Sequence, residues 1–360
     1  MSLHPIRIIL AILILGAAIP VAAERRITDQ TGRTVSVPED PRRIVCLAPG
    51  ALRLAVYLEA VDLVVGVEDL EPRNPRGRPY FLAHPELGAL PRVGPGGPAA
   101  INREPDMEAV LSVRPDLIFV TYMERALADR VQARLGIPVV ALTYGDFAAF
   151  DETVYDALRL AGKILNRSER AEAVVAHIEA ARRDLAARTG DIPPAERPGV
   201  YVGAVGFKGT QGIESTHADY TPLEWIGARN LARTGDHAGH RFVDRETLLA
   251  WNPPVVFIDG GGLQRVIEDA RRNPAFYRTL RAVETGRVFA LFPFNWYVVN
   301  IGTAIADAYA AGKILHPERF ADIDPATRAD ETYTFLVGRP VYAKMRESYG
   351  ELGAAIPLLP

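Results

Sequence analysis

Met107-Glu-Ala-Val-Leu-Ser-Val-Arg-Pro-Asp-Leu-Ile-Phe-Val120 and Arg245-Glu-Thr-Leu-Leu-Ala-Trp-Asn-Pro-Pro-Val-Val-Phe-Ile258 repeat one pattern in the two halves of the chain. In each, a glutamate (Glu108, Glu246) opens a short helix, and a proline (Pro115, Pro253) follows just before a wholly apolar run. The acid suits the positive end of its helix, and the proline suits the helix exit. Either glutamate alone is explained by its own helix start. The matched pair implies two lobes built on one plan.

Working outward, short apolar strands separated by helices recur on both sides. The pattern predicts strands near 44–48, 63–67, 116–121 and 137–142, with helices at 52–58 and 124–135 between them. In the second half it predicts strands at 199–205, 255–259 and 286–291, with helices near 222–228, 245–252, 263–270 and 301–315. Such alternation argues for parallel sheets covered on both faces. A hairpin is expected over 27–37, where β-branched residues flank a turn containing Gly32. Between the halves, 147–190 is helical without a strand. Leu158, Ala161 and Leu165 share one face, as do Ala171, Val174, Ile178, Ala181 and Leu185, and Asn166 to Ser168 interrupt the run. The expected fold is α/β: two Rossmann-like lobes with central parallel sheets, 24–146 and 191–325, joined by a long rigid α-helix. A helical tail over 326–360 packs back on a lobe.

The first 23 residues read as an export signal. Arg7 precedes the apolar run 8–15, and Val21 and Ala23 stand at the −3 and −1 positions of a cut before Glu24. The run is too short for a spanning helix, and no cysteine lies at the cut to carry a lipid, so a free periplasmic protein is expected. The chain has 41 basic and 44 acidic residues and a net charge of −3, which leaves no basic footprint for nucleic acid. Cys46 is the only cysteine, so no internal disulfide can form.

These stretches, with Thr28-Asp-Gln-Thr-Gly-Arg-Thr-Val-Ser-Val-Pro38 and Pro41-Arg-Arg-Ile-Val45, resemble the periplasmic iron-siderophore, haem and cobalamin binding proteins, the helix-linked class of ABC-transporter solute receptors. The resemblance covers essentially the whole mature chain. It implies a monomeric, non-enzymatic receptor with no intrinsic cofactor, delivering a ferric chelate, haem or corrinoid to a permease dimer in the inner membrane. It also implies that Glu108 and Glu246 form ion pairs with permease arginines. The runner-up cargo is a small oxyanion such as molybdate or tungstate, or a less-chelated metal ion.

Ligands gather at the carboxyl ends of strands in open α/β sheets. That rule selects Pro49-Gly50, Arg73, Arg76, Arg78, Tyr122 and Tyr144 from the first lobe. From the second it selects Lys208, His217, Asp219, Tyr220, His237, His240, Arg241, Asp259, Asn295, Trp296 and Tyr297. The three arginines form the densest basic cluster and suit carboxylate or phenolate groups; the alternative is a solvated proline-rich loop. His217, Asp219 and Tyr220 are the candidate metal ligands, against hydrogen-bonded loop residues. Trp296 and Tyr297 offer flat apolar faces at a cleft mouth, whereas Trp225 and Trp251 read as core. The glycine-rich loop around Lys208 lacks the phosphate-cradling spacing, which argues against a nucleotide site. An exported metal-dependent hydrolase is the competing class, but neither Gly-x-Ser-x-Gly nor His-Glu-x-x-His occurs.

Overall fold

The computed structural model describes residues 23–146, 148–235 and 238–359. The expected export signal lies outside them, apart from Ala23. An entry hairpin pairs β1 (Glu24–Thr28) with β2 (Thr34–Pro38) antiparallel. Ile27, Val35 and Val37 point inward from it and are buried. The first lobe is a parallel sheet of β3 (Ile44–Leu47), β4 (Val64–Gly66), β5 (Leu117–Thr121) and β6 (Val139–Leu142) in the order β4-β3-β5-β6. The second contains β7 (Gly199–Gly203), β8 (Ser215–His217), β9 (Arg229–Asn230), β10 (His240–Phe242), β11 (Val255–Asp259) and β12 (Val288–Leu291). Its parallel sheet runs β9-β7-β11-β12, the same order with the same connectivity, and β8 pairs with β10 as a separate antiparallel ribbon. The sequence pattern missed β8, β9 and β10, which are too short to show a period.

The repeat holds down to single residues. Ile44 pairs with Leu117 in the first lobe, and Val200 pairs with Val255 in the second. The helices Met107–Ser112 and Arg245–Trp251 begin on aspartates that the pattern had not included: Asp106 accepts the Ala109 N–H at 3.0 Å and Asp244 that of Thr247 at 2.6 Å. Such caps satisfy an otherwise orphaned donor. Before each proline stands a left-handed residue, Arg114 (φ 46°) or Asn252 (φ 39°). Ala48 (φ 68°) and Ala204 (φ 64°) adopt the same disfavoured conformation as the chain leaves β3 and β7. Both lobes therefore turn sharply at the same strand exit.

The linker is two helices, Thr153–Ile164 and Ser168–Thr189, broken at Asn166 (φ 57°). The 22-residue second helix spans about 33 Å. It does not stand between the lobes as a bare rod. Arg170 donates to the Tyr57 carbonyl at 2.9 Å and lies over the Phe335 ring at 4.6 Å, while His177 stacks on that ring at 4.1 Å. The helices Ile301–Leu315 and Pro325–Val337 fill the space beside it. One hydrophobic cluster consequently runs from β3 through the linker to Phe257 and Leu291 of the second sheet. The repeat implies two lobes; the C-terminal helices join their cores.

Arg53 locks the lobes together. It is fully buried in the helix Ala51–Tyr57, yet its guanidinium donates to the carbonyls of Val299 (2.9 Å), Tyr297 (2.9 Å) and Trp296 (3.3 Å), all in the connection after β12. The rings of Tyr80 and Tyr144 flank it at 4.9 and 5.5 Å. Asn300 holds the same loop from within, donating to the carbonyls of Phe294 and Trp296 at 3.1 and 3.0 Å. Replacing Arg53 with methionine keeps the volume but strands buried carbonyls, each costly to leave unpaired. Denaturant titration of R53M is expected to lose about 3 kcal/mol of stability; a loss below about 1 kcal/mol would remove Arg53 from this role.

Candidate functional site

The segments that follow β3 and β4 meet the one that follows β12, through Arg53 and Glu68, and ligands of open α/β sheets gather at such strand exits. On the first-lobe side lies a buried polar network. Glu71 accepts from Arg78 Nη1 at 2.7 Å and from the Tyr80 hydroxyl at 3.0 and 2.9 Å. Burial pushes its carboxyl up, against the pull of Arg78. Arg78 also donates to the carbonyls of Leu70 (2.9 Å) and Asn74. Its fork is thus committed inside the lobe, while Arg73 and Arg76 are exposed. The sequence shows three arginines in one loop; Glu71, the counter-ion that sets Arg78 apart, carries no spacing that marks it as one.

Glu68 crosses the gap between the lobes. Its buried carboxylate accepts the Ala48 N–H at 3.0 Å and the Tyr297 hydroxyl at 2.7 Å, and that hydroxyl in turn accepts the Gly97 N–H at 3.0 Å. Gly96 (φ 64°) passes so close that a Cβ would lie 2.7 Å from the glutamate. Glu68 was absent from the sequence-selected residues, because an acid after a short strand carries no distinctive spacing. It lines a cavity of about 190 Å³ with Gly94, Asn102, Asp106 and Thr121. Another cavity, of about 620 Å³, lies by Val61, His84 and Val337, at the amino end of β4 and away from the strand exits.

Beside this contact sit phenols and imidazoles. Tyr144 is buried against Gly50, whose Cβ, if present, would meet the ring at 2.7 Å; its hydroxyl lies beside the Arg53 guanidinium and has no acceptor for its own proton. Tyr122 (φ 54°) is half-buried; burial pushes its phenol up, and Tyr144, Arg53 and Asp146 act on it in turn. Across the gap His217 is buried with Nδ1 unpartnered. Burial holds it below the usual imidazole range, opposed by Asp219 and by Asp146 of the other lobe. His240 pairs with His217 across the ribbon, bonds Ser215 Oγ at 2.8 Å and stacks on Phe207 at 4.0 Å. Burial lowers it to about 4. At neutral pH both imidazoles are uncharged.

His217, Asp219 and Tyr220, adjacent in sequence, do not converge. Asp219 accepts the Gly239 N–H at 2.8 Å, with Arg233 3.6 Å away. Tyr220 turns into its own lobe, edge-on to Phe294 at 4.9 Å and toward Asp259 and Asp307. Among the described residues no cluster of three or more His, Cys, Asp or Glu side chains is arranged to hold a metal. Arg241 bonds the Ala232 carbonyl (3.2 Å) and Thr234 (2.8 Å), and Lys208 is exposed over Phe207 at 5.3 Å. Trp296 is half-buried between Gly77 and Gly261, and Asn295 bridges to Val299 within its loop. Asp259 accepts the Gly261 N–H at 2.9 Å, and burial pushes it up to about 7. His237 lies outside the described residues. Glu108 and Glu246 are exposed in the first turns of the repeat helices.

Two α/β lobes meeting at their strand exits match the family described as "Periplasmic binding protein" over residues 44–293. The chain belongs to that family. Among its relatives, the molybdate-binding protein MolA of Haemophilus influenzae is 26% identical over 347 residues, covering 91% of this chain and 94% of MolA. The solved structure of MolA with molybdate superposes with a TM-score of 0.69 at 24% identity, over 88% of this chain and 98% of that one. A periplasmic solute binding protein of Veillonella parvula gives 0.72 at 18% identity, over 91% and 97%. A periplasmic heme binding protein of Pseudomonas aeruginosa gives 0.53 at 24% identity, over 77% and 93%. Among the described residues no helix is long and apolar enough to cross a membrane.

Burial raises Glu68 from 4.5 to about 7 even though Ala48 and Tyr297 favour its charged form. The native state therefore holds a proton that the unfolded state releases between those values, and stability falls as pH rises through that window. Glu68→Gln removes the dependence. Relative to wild type, its stability is expected to fall by about 3 kcal/mol less between pH 4.5 and 7. Parallel curves in chemical denaturation would contradict the assignment.

Proposed function

We propose that this periplasmic binding protein is the exported solute receptor of an ABC importer, and that its cargo is a small oxyanion of the molybdate class. The observation that carries the cargo is a buried polar atom without a partner in each lobe, the Tyr144 hydroxyl and His217 Nδ1, with His217 close enough to the first lobe to feel Asp146. A buried donor left unpaired is costly, so these groups await an acceptor. A tetrahedral oxyanion at neutral pH offers acceptor oxygens alone, and Arg53 supplies positive charge beside Tyr144. Direct contact between the lobes at Tyr297 and Glu68, and between Gly77 and Trp296, favours a small solute over a flat macrocycle. The resemblance to MolA along most of the chain adds support.

In this reading Glu108 and Glu246 meet the permease. Exposed charges of this kind steer approach and set register more than they add affinity. Calorimetry at neutral pH tests the cargo, with molybdate, tungstate, haem and a ferric tris-catecholate as titrants. Molybdate and tungstate are expected to bind at one site, and Tyr144→Phe or His217→Ala to weaken them by about tenfold each, about 1.4 kcal/mol. Binding of haem or the ferric complex with no heat from either oxyanion would replace this cargo with a chelate.

A further inference from the structure

Three large apolar side chains are exposed among the described residues: Leu111, Phe207 and Phe242, at 45%, 39% and 58%. Singly, exposed apolar residues are ordinary. Their placement is not, because Leu111 shares a helix with Glu108, Phe242 ends the strand that leads to Glu246, and Phe207 packs on Phe242. Leu111 lies one turn after Glu108 on the helix Met107–Ser112, hence on the same face. Phe242 ends β10 four residues before Glu246 opens its helix. Phe207 backs Phe242 edge-on at 6.3 Å, itself held between His240 at 4.0 Å and Lys208 at 5.3 Å. That leaves Phe242 as the projecting ring.

Each lobe therefore presents an exposed carboxylate on its repeat helix and a large apolar side chain close to it in the chain: Leu111 on the helix itself, and Phe242 on the ribbon strand that leads into the other. A partner that reads both glutamates needs two like basic sites related by a two-fold axis, and an apolar pocket near each that takes a leucine on one side and a phenylalanine on the other. We propose that Leu111 and Phe242 are the apolar anchors by which the receptor docks on the permease dimer of its importer, beside Glu108 and Glu246. The inference rests on the import reading and adds the division of labour. Charges govern encounter and salt dependence, while desolvated apolar anchors govern how long the complex lasts.

The test uses full-length mature receptor and its permease–ATPase complex in nanodiscs, measuring association by interferometry across a salt series. Leu111→Ser/Phe242→Ser is expected to weaken association about tenfold or more, chiefly through faster dissociation, with an unchanged slope against salt. Glu108→Gln/Glu246→Gln is expected to flatten that slope instead. Both sites are exposed, and melting curves with the Leu111→Ser and Phe242→Ser single variants separate loss of docking from loss of fold. Binding of the apolar double variant within about twofold of wild type overturns the anchors. Failure of the wild-type receptor to associate with the importer overturns the import reading itself.

Discussion

A single buried arginine does most to define how the halves of this protein face each other. Arg53 leaves the first helix of one lobe and spends its guanidinium on three carbonyls of a loop belonging to the other. A cation sealed from water must be fully hydrogen-bonded to be tolerated, so the loop cannot drift without exposing or orphaning it. That constraint places Tyr297 where it reaches Glu68 and sets Trp296 against Gly77. How closely the lobes approach follows from this contact.

The buried acids next to the gap fit the same logic. Glu71 is balanced by Arg78 and Tyr80, whereas Glu68 has neutral donors only, from Ala48 and Tyr297. A carboxyl satisfied by neutral donors in a buried place keeps its proton to higher pH. The lobe contact is thus sensitive to proton concentration near neutrality, while the Glu71 network is the more conventional ion pair.

Much of the fold was legible because it repeats. Glu108 and Glu246, each followed by a proline and an apolar strand, announced two lobes, and the sheets indeed share strand order and left-handed exits at Ala48 and Ala204. The site was less legible, for a physical reason. Which polar side chain faces the gap depends on tertiary pairing that local spacing does not encode. Arg78 looked like its neighbours Arg73 and Arg76 until Glu71 was seen to hold it. Tyr220 sits three residues from His217 but points into its own lobe. Glu68 and Arg53 carry no motif at all, since the partners that give them meaning lie more than two hundred residues away.

The central claim is that cargo sits between the lobes, bonded by Tyr144 from one side and His217 from the other. Crystals grown with tungstate and measured at a tungsten absorption edge would locate the metal directly. The account predicts one strong anomalous peak within hydrogen-bonding distance of the Tyr144 hydroxyl and the His217 ring. A peak confined to the outer surface, or in the cavity by Val61 and Val337, would contradict it.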